Sequence, residues 1–302
     1  MKQWPFQLGI HPINWVGEDV QEHGDTTTYE QILNEIQALG LKGTEMGRKY
    51  PTDVTVLKQE LSSRGIQLVS QWKSVLFSDP AYRETELEAY RQHVMFLSDM
   101  GSKVISTCEV GGSLHFDPRR TSNESEIVAL DDEGWVSLAE GLNEAGAIAR
   151  EYGMKLTYHH HGGTVVETPQ EIDRLMEMTD PNLVYLLFDT GHAYYGGADP
   201  LMLLHKHYSR IAYVHLKDIR QEVLDQARAD KDNFVSCIRK GVFTVPGDGC
   251  IDFAPIFNEL FRRGYDGWAI LEGEQDPAVH PAYEYAKRSL QYMNSLNLTE
   301  SR

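Results

Sequence analysis

The sequence predicts an α/β fold, a single (β/α)8 barrel in which residues 1–302 form one domain. Eight short apolar runs alternate with longer stretches whose apolar residues recur at three- and four-residue spacing, a pattern typical of repeated strand–helix units. A chain of 302 residues is long enough for two domains, but barrels of this kind commonly form one. A doubly wound open sheet is the alternative, yet no G-x-G-x-x-G follows the first strand and no phosphate-binding loop occurs.

The predicted strands are short runs rich in apolar and β-branched residues. In chain order they span 7–12, 43–47, 66–72, 103–110, 154–161, 184–190, 211–218 and 268–274. Each is separated from the next by enough residues for a crossover connection, so a parallel sheet is expected.

The predicted helices occupy the stretches between these strands. They span 28–40, 85–101, 131–152, 168–179, 199–208, 252–263 and 280–295, and the first two end at glycine, which favours helix termination. Residues 219–246, between the seventh strand and the last helices, are predicted to form an inserted helix and a loop. Insertions after barrel strands lie at the face that carries the active site, so we expect a lid or a contact in a homo-oligomer.

Charge and cysteine content narrow the classes of partner and location. The chain has 28 Lys and Arg against 45 Asp and Glu, a formal charge of -17, which disfavours binding to nucleic acid or to anionic membranes. The three cysteines, Cys108, Cys237 and Cys250, show no CxxC spacing, which argues against a disulfide framework and a zinc ribbon. No apolar leader or membrane span is evident, so a cytoplasmic location is expected.

Polar side chains concentrate where the predicted strands end, which is where barrels of this type place their chemistry. Burying so many carboxylates and imidazoles together is costly unless a divalent cation pairs with them. Nitrogen and oxygen donors without thiolate suit Mn²⁺, Co²⁺, Fe²⁺, Zn²⁺ or Mg²⁺. The residues at these ends are Glu45, Trp72, Lys73, Glu109, His159, His160, His161, Asp189, His192, His215, Lys217 and Glu272.

Three of these residues form the strongest candidate metal site. Asp189, His215 and Glu272 end three successive predicted strands, so their side chains are expected to meet. A single histidine at a strand end is more often structural than a ligand. In the run 159–161, the first and third residues share parity and the middle one points to the opposite face of the strand. We therefore expect His160 to be structural.

Three other strand-end residues have ordinary structural interpretations. Lys73 and Lys217 could be solvated surface lysines, although a lysine near a strand end can also reach inward toward a metal. Trp72 could belong to the core, although it also suits stacking on the apolar face of a ring.

Eight stretches, in order and over nearly the whole chain, resemble the inosose dehydratases (2-keto-myo-inositol dehydratases). They are LGIHPINW, GTEMGRKYP, SQW, YHHHGGT, LVYLLFDTGHAYYGGADP, VHLKDIR, VFTVPGDGCIDFAPIF and LEGEQDP. More distantly, the chain is similar to the xylose-isomerase-like TIM barrels, which include sugar isomerases, epimerases and apurinic endonucleases. The negative charge makes an endonuclease the weakest of these possibilities.

The wider family implies a divalent metal bound by Glu, Asp, His and Glu from the last four strands. Asp189, His215 and Glu272 match the last three ligands. Where many relatives carry the first Glu, this chain has His159, which is therefore the predicted fourth ligand, with Glu109 as its rival. Lys73 stands where close relatives more usually carry an aromatic residue.

The resemblance also implies an activity. A carbon–oxygen lyase would convert 2-keto-myo-inositol (scyllo-inosose) to 3D-trihydroxycyclohexane-1,2-dione and water in myo-inositol catabolism, through a metal-stabilised enediolate. Mn²⁺ or Co²⁺ is the expected metal, and glutathione is compatible as a thiol cofactor. Expected acid and base groups are His161, His192, Lys217 and Glu272; expected substrate contacts are Glu45, Trp72, Lys73 and Glu109. A ketose isomerase or epimerase on the same metal site, or a non-catalytic polyol-binding protein, are the alternatives.

Overall fold

A curved, parallel sheet of nine strands forms the centre of the molecule in the computed structural model, which describes residues 4–113, 117–118 and 129–297. The strands of the molecule are β1 (Gln7–Ile10), β2 (Gly43–Thr44), β3 (Gln67–Leu68), β4 (Trp72–Val75), β5 (Val104–Glu109), β6 (Lys155–His159), β7 (Val184–Asp189), β8 (Ile211–Leu216), β9 (Asp218–Ile219), β10 (Phe243–Thr244) and β11 (Trp268–Leu271). The order of strands in the large sheet is β3-β2-β1-β11-β8-β7-β6-β5-β4. The other two strands, β9 and β10, form a separate antiparallel pair.

The sheet closes into a barrel through the third predicted strand, which is divided into β3 and β4. The first segment pairs with β2 and the second with β5. Between them, the Val69 amide donates to the Thr44 carbonyl at 2.8 Å, and Ser70 Oγ accepts from the Ser106 amide at 3.0 Å. Eight barrel strands therefore surround one interior, which confirms the predicted (β/α)8 architecture.

Helices cover the outside of the sheet. They are α1 (Tyr29–Leu39), α2 (Val54–Ser62), α3 (Arg83–Met100), α4 (Asp132–Glu151), α5 (Pro169–Met178), α6 (Thr190–Tyr195), α7 (Pro200–His207), α8 (Gln221–Asp230), α9 (Phe234–Arg239), α10 (Phe253–Arg262) and α11 (Ala282–Ser295). Two of them, α2 and α6, were not among the predicted helices. Each begins at an aspartate whose side chain accepts a backbone N–H of the first turn, Asp53 for α2 and Asp189 for α6.

The inserted segment differs from its prediction of one helix and a loop. It contains two helices, α8 and α9, and the short hairpin of β9 and β10. Lys231 adopts φ 57° at the end of α8, and Asn233 caps the start of α9. The chain therefore turns within three residues and folds back over the barrel.

The barrel interior is filled by a small core separate from the one beneath the helices. Val69, Val104, Leu187, Tyr213 and Ile270 form this inner cluster, with Trp268 packed against it. A Cβ on Gly43 would lie 2.4 Å from the Trp268 ring, so a glycine is required there. The packed interior supports the polar residues at the carboxyl ends of the strands.

Candidate metal centre and active site

A cavity of about 450 Å³ lies at the carboxyl ends of the barrel strands, a volume typical of small-molecule sites. Six of the eleven residues predicted to act at the site line it: Glu45, Trp72, His159, His161, His215 and Glu272. Three more, Asp189, His192 and Lys217, are fully buried beside these residues. Most of the predicted site is therefore brought together in one place.

Adjacent strands place four candidate ligands at the base of the cavity. Asp189 and His215 are direct partners in the register of β7 and β8, and His159 ends the neighbouring strand β6. Single donor atoms of these three residues all lie within 4.8 Å of one another. Glu272, just after β11, brings Oε2 to 2.7 Å from His215 Nδ1.

The atoms of this cluster are of the kinds that could hold a metal ion. Asp189 Oδ2, His215 Nδ1 and Glu272 Oε2 are buried, and none has a hydrogen-bond partner within the described residues. His215 Nδ1 and Glu272 Oε2 lie 2.7 Å apart, but their relative orientation does not form a hydrogen bond. Burying such atoms without hydrogen-bond partners costs folding free energy. A divalent cation bound between them would offset this cost.

The hydrogen bond at the other ring nitrogen orients His159 for ligation. Its Nδ1 lies 2.7 Å from the His160 carbonyl oxygen; because a carbonyl can only accept, Nδ1 carries the proton. Nε2 therefore holds the lone pair, and it lies 3.8 Å from Asp189 Oδ2. Burial lowers the pKa of His159 well below its ordinary value, and His215 lowers it further, so the ring is neutral, as ligation requires.

Glu45 orients His215. Its Oε1 lies 2.6 Å from His215 Nε2 and also accepts the Tyr213 hydroxyl. Burial alone would lower the pKa of His215, but Glu45 and Glu272 raise it well above its ordinary value. A carboxylate behind a ligating imidazole fixes the ring and increases its basicity. Glu45 was predicted to contact substrate. It lines the cavity, and its contact with His215 supports the position of that ring.

The candidate acid and base groups form a row beside the metal site. The rings of His161 and His192 have centroids 3.8 Å apart, and His192 Nε2 lies 3.0 Å from Lys217 Nζ. Lys217 Nζ is 2.5 Å from Glu274 and 3.0 Å from Glu272. Of the four predicted acid and base groups, His161 and Glu272 line the cavity, whereas His192 and Lys217 are fully buried beside them.

Lys73 and Glu109, both predicted to contact substrate, are not among the cavity-lining residues. Lys73 Nζ instead lies 3.6 Å from Glu86 on α3. The Glu109 carboxyl accepts from the Ser78 amide and hydroxyl at 3.1 and 2.9 Å and from the Gly111 amide at 2.8 Å. Burial raises the pKa of Glu109 to about 7 despite these bonds. Both oxygens of this rival metal ligand are thus already engaged.

The cavity-lining residues to which the sequence assigned no role include His11, Asp19 and Glu274. His11 directly follows β1, and its Nε2 lies 3.7 Å from Glu45. Asp19 lies in the following loop, where the pair of acids in VGED was a usable signal, because loops after barrel strands form the mouth. Glu274 follows the predicted ligand Glu272 by two residues.

The inserted segment forms one wall of the site. The Phe234 ring at the start of α9 lies with its centroid 5.0 Å from His161 and 5.8 Å from His192. A Cβ on Gly162 would stand 2.6 Å from the Phe234 ring, so the glycine permits this contact. Phe243 also packs on His192, with centroids 5.0 Å apart, and its ring centroid lies 6.0 Å from that of Phe234.

Arg220 attaches this wall to the end of β11. Its guanidinium donates to the Gly241 and Phe243 carbonyls, each at 2.8 Å. It also donates to Thr244 and Asp248, at 3.0 and 3.1 Å. A further bond of 2.7 Å reaches the side-chain oxygen of Gln275, the residue after Glu274. One half-buried arginine thereby joins the insert to the loop that carries two acids of the cavity.

Residues 33–296 match the protein family described as xylose isomerase-like TIM barrel. The chain is 52% identical over 292 residues to an inosose dehydratase of Geobacillus kaustophilus, an alignment that covers 97% of this chain and 95% of that protein. It is 48% identical over 287 residues to an inosose dehydratase of Clostridium perfringens, with 95% and 96% of the two chains covered.

Solved structures share the fold at low sequence identity. A probable 3-DHS dehydratase from Bacillus anthracis superposes with a TM-score of 0.70 at 15% identity, covering 97% of this chain and 100% of that one. A D-allulose 3-epimerase from Methylomonas sp. gives 0.68 at 15% identity, with 97% of each chain covered. Within the described residues, no helix combines the length and apolar character needed to cross a membrane.

Proposed function

The chain belongs to the inosose dehydratases within the xylose isomerase-like TIM barrel family, and from this we propose that it is a divalent-metal-dependent hydro-lyase that removes water from a keto-inositol. The observation that carries the metal dependence is the meeting of His159, Asp189 and His215 donor atoms within 4.8 Å at the base of a polyol-sized cavity. We place the reaction in inositol catabolism, with a trihydroxycyclohexane-dione as product.

The cation would be held by His159, Asp189, His215 and Glu272. When bound, it would supply Lewis acidity for the ketone and a neighbouring hydroxyl and so stabilise the negative charge of an enediolate. Two imidazoles and two carboxylates without thiolate suit Mn²⁺ or Co²⁺.

We assign contact with the substrate ring to Trp72 and His161, which both line the cavity. The indole N–H of Trp72 donates to Ser74 Oγ at 2.7 Å, which fixes the plane of the ring for stacking on C–H groups. His161 lies beside it, with ring centroids 5.3 Å apart. Its Nδ1 donates to the Gly162 carbonyl at 2.9 Å, so Nε2 carries the lone pair. We assign His161 as the base that takes the α-proton.

The experiment is to load the purified protein with Mn²⁺ or Co²⁺, add scyllo-inosose, and follow the products by NMR. We expect a dione formed with loss of water, and metal at one equivalent per chain. Asp189→Asn should lose the metal and the activity, because one of the four ligands changes from anion to amide. Asp173→Asn is the matched control: this carboxylate also pairs with a histidine, His207 at 2.8 Å, but lies away from the cavity.

Other products would contradict the proposal in distinct ways. An isomeric ketose would indicate an isomerase or epimerase, because such enzymes return the proton instead of expelling hydroxide. Binding of inosose without turnover by the metal-loaded protein would indicate a polyol receptor.

A further inference from the structure

His11, the residue after β1, presents one ring nitrogen to the cavity. Its Nδ1 accepts a hydrogen bond from the Ile13 amide at 2.9 Å and so caps the short 3-10 helix Pro12–Asn14. Because the amide can only donate, Nδ1 holds the lone pair and the ring proton lies on Nε2. This second nitrogen makes no hydrogen bond to a described residue, so its N–H is available as a donor.

The backbone of His11 is attached to the end of β11. The His11 amide donates to the Leu271 carbonyl at 3.0 Å. Asn14 Nδ2 donates to the His11 carbonyl at 2.7 Å and to the Leu271 carbonyl at 3.2 Å. Together with the bond at Nδ1, these contacts hold the His11 ring in one position, as a preorganised binding group requires.

Glu45 supplies an acceptor opposite this donor. Its Oε1 is engaged by His215 and Tyr213, whereas Oε2 has no hydrogen-bond partner within the described part of the chain. Oε2 lies 3.7 Å from His11 Nε2, which is too far for a hydrogen bond between them. Hydrogen bonds to oxygen are about 2.8 Å long, so a single oxygen atom of a ligand can lie within reach of both.

A hydroxyl group is the ligand that suits this pair. It can accept from the Nε2–H of His11 and donate to the Oε2 of Glu45 at the same time. A ketone, carboxylate or phosphate oxygen has no proton to offer the carboxylate and is repelled by it. The pair therefore favours a neutral polyol over an acidic or phosphorylated sugar.

The pair lies at one end of the row of strands that carry the proposed metal ligands. That row is β11, β8, β7 and β6, and β1 and β2, which precede His11 and Glu45, continue the sheet beyond β11. His161, the proposed base, follows β6 at the other end of the row. Both histidines line the cavity, so a substrate ring that fills it meets the base on one side and the pair on the other.

We propose that His11 and Glu45 together bind one ring hydroxyl of the substrate that is remote from the ketone, and that His11 thereby determines specificity for a polyol. This inference rests on the proposed function. No bond is broken at this hydroxyl, so His11 acts in binding and not in the chemical step. A substrate without the hydroxyl leaves Nε2–H and Oε2 unpaired in the complex, and sites of this kind reject such analogues.

His11→Asn separates the two functions of the ring. The asparagine oxygen can replace Nδ1 as the helix cap, since asparagine is favoured at that position, but its shorter side chain has no group at the position of Nε2. His23→Asn is the matched control, because His23 Nε2 also faces a carboxylate, Asp276 at 3.9 Å, and His23 is not among the cavity-lining residues. We expect both variants to fold and to bind one equivalent of Mn²⁺.

The test measures kcat/KM of the three Mn²⁺-loaded proteins with scyllo-inosose and with analogues that each lack one hydroxyl remote from the ketone. For wild type and His23→Asn, one analogue should be poorer than scyllo-inosose by about 10-fold. For His11→Asn, scyllo-inosose itself should be poorer by about 10-fold, through a higher KM, and that analogue should lose little more. An equal loss for scyllo-inosose and every analogue would make His11 a structural residue and overturn the proposal, as would wild-type values in His11→Asn.

Failure of the proposed function is recognised separately. If wild type does not convert scyllo-inosose, that function has failed, and the pair is tested by binding alone. Calorimetric titration of the same proteins with scyllo-inosose and the analogues should then show an affinity that depends on one hydroxyl in wild type and not in His11→Asn. Absence of binding, or binding that neither change affects, would overturn the proposal as well.

Discussion

The three consecutive histidines show how strand parity assigns different tasks to neighbouring residues. His159 and His161 line the cavity, whereas His160 does not. His160 is fully buried, and neither of its ring nitrogens has a hydrogen-bond partner among the described residues. Burial lowers its pKa to about 4, so it is a neutral ring in the packing behind the site.

We predict three separable outcomes for alanine substitutions in this run. His159→Ala should lose metal, because it removes a nitrogen donor. His161→Ala should keep metal and lose about 10²-fold or more in turnover, as expected for an acid or base. His160→Ala should lower the free energy of unfolding by about 2 kcal/mol or more through the cavity it leaves. Elemental analysis, steady-state rates and thermal midpoints measure these effects, and full metal retention by His159→Ala would contradict its assignment.

The buried carboxyl of Glu109 predicts a pH dependence of stability. Its pKa is raised from 4.5 to about 7 in the folded state, so the folded protein holds this proton more tightly than the unfolded chain. Its contribution is therefore complete below pH 4.5 and is lost as the pH rises through about 7. In denaturant titrations across this range, wild type should lose unfolding free energy relative to Glu109→Gln as the pH rises through about 7, because only wild type must bury a charge at this position.

Glu144→Gln is the control for this titration. Glu144 is exposed and pairs with Arg83 at 2.8 Å, so its curve should run parallel to that of wild type. A parallel curve for Glu109→Gln as well would show that Glu109 titrates normally.

Three residues show what the sequence alone could not predict. Lys73 and Glu109 were expected to contact substrate but do not line the cavity, whereas Asp19 lines the cavity and was not predicted. The prediction ended the third strand at Trp72, but the chain continues as β4, and alternation turns Lys73 outward to Glu86. Glu109 lies an odd number of residues from Ser106, which lines the cavity, so it faces the other side of β5. Asp19 was missed because loops lack a periodic pattern that would fix their positions.

Among the secondary-structure elements, the inserted segment makes the contacts with the site that the sequence did not predict. Its helix α9 supplies Phe234, which packs on His161, and its hairpin supplies Phe243, which packs on His192. Lys217 Nζ lies 4.6 Å from the Phe243 ring centroid. The insertion was evident from its length, but its contacts depend on a tertiary arrangement centred on Arg220.

We predict that Arg220→Ala lowers both stability and catalytic efficiency. It leaves five acceptors without their donor, which should cost about 3 kcal/mol in the free energy of unfolding, and it releases the loop that positions Glu274. Arg220→Lys keeps the charge but lacks the planar fork, so it should recover only part of the loss. Thermal midpoints and kcat/KM measure the effect, and wild-type values for Arg220→Ala would contradict this role.

For the whole molecule, the order of strands and helices is what the sequence predicted best. All eight barrel strands were located, since each is a short apolar run between polar ends. Their bounds were less certain, because polar strand ends such as His159 and Asp189 belong to the site and not to the apolar pattern. The split third strand was not foreseen, because its break at 69–71 contains apolar and polar residues alike.

We predict that metal removal destabilises the whole barrel. The four proposed ligands belong to four adjacent strands, and without a cation Asp189 Oδ2, His215 Nδ1 and Glu272 Oε2 stay buried with no hydrogen-bond partner among the described residues. A ligand at about 100 times its dissociation constant adds about 2.7 kcal/mol, which in a chain of this size raises the thermal midpoint by about 5 °C or more. Chelation should reverse this shift in wild type, whereas Asp189→Asn should show no response to Mn²⁺; an equal response would place the metal elsewhere.

The order of the strands in the closed sheet also governs when the enzyme can become active during its synthesis. β1 and β11, the first and last strands of the closed sheet in chain order, pair with each other, and residues of the loop after β1 line the same cavity as residues just beyond β11. A nascent chain that has emerged only as far as residue 267 therefore has an open sheet and lacks Glu272, one of the four proposed metal ligands. Such long-range pairing delays folding until the chain is nearly complete. A translating ribosome thus carries an inactive protein until β11 and the residues just after it are made, and termination before β11 releases a product whose sheet cannot close.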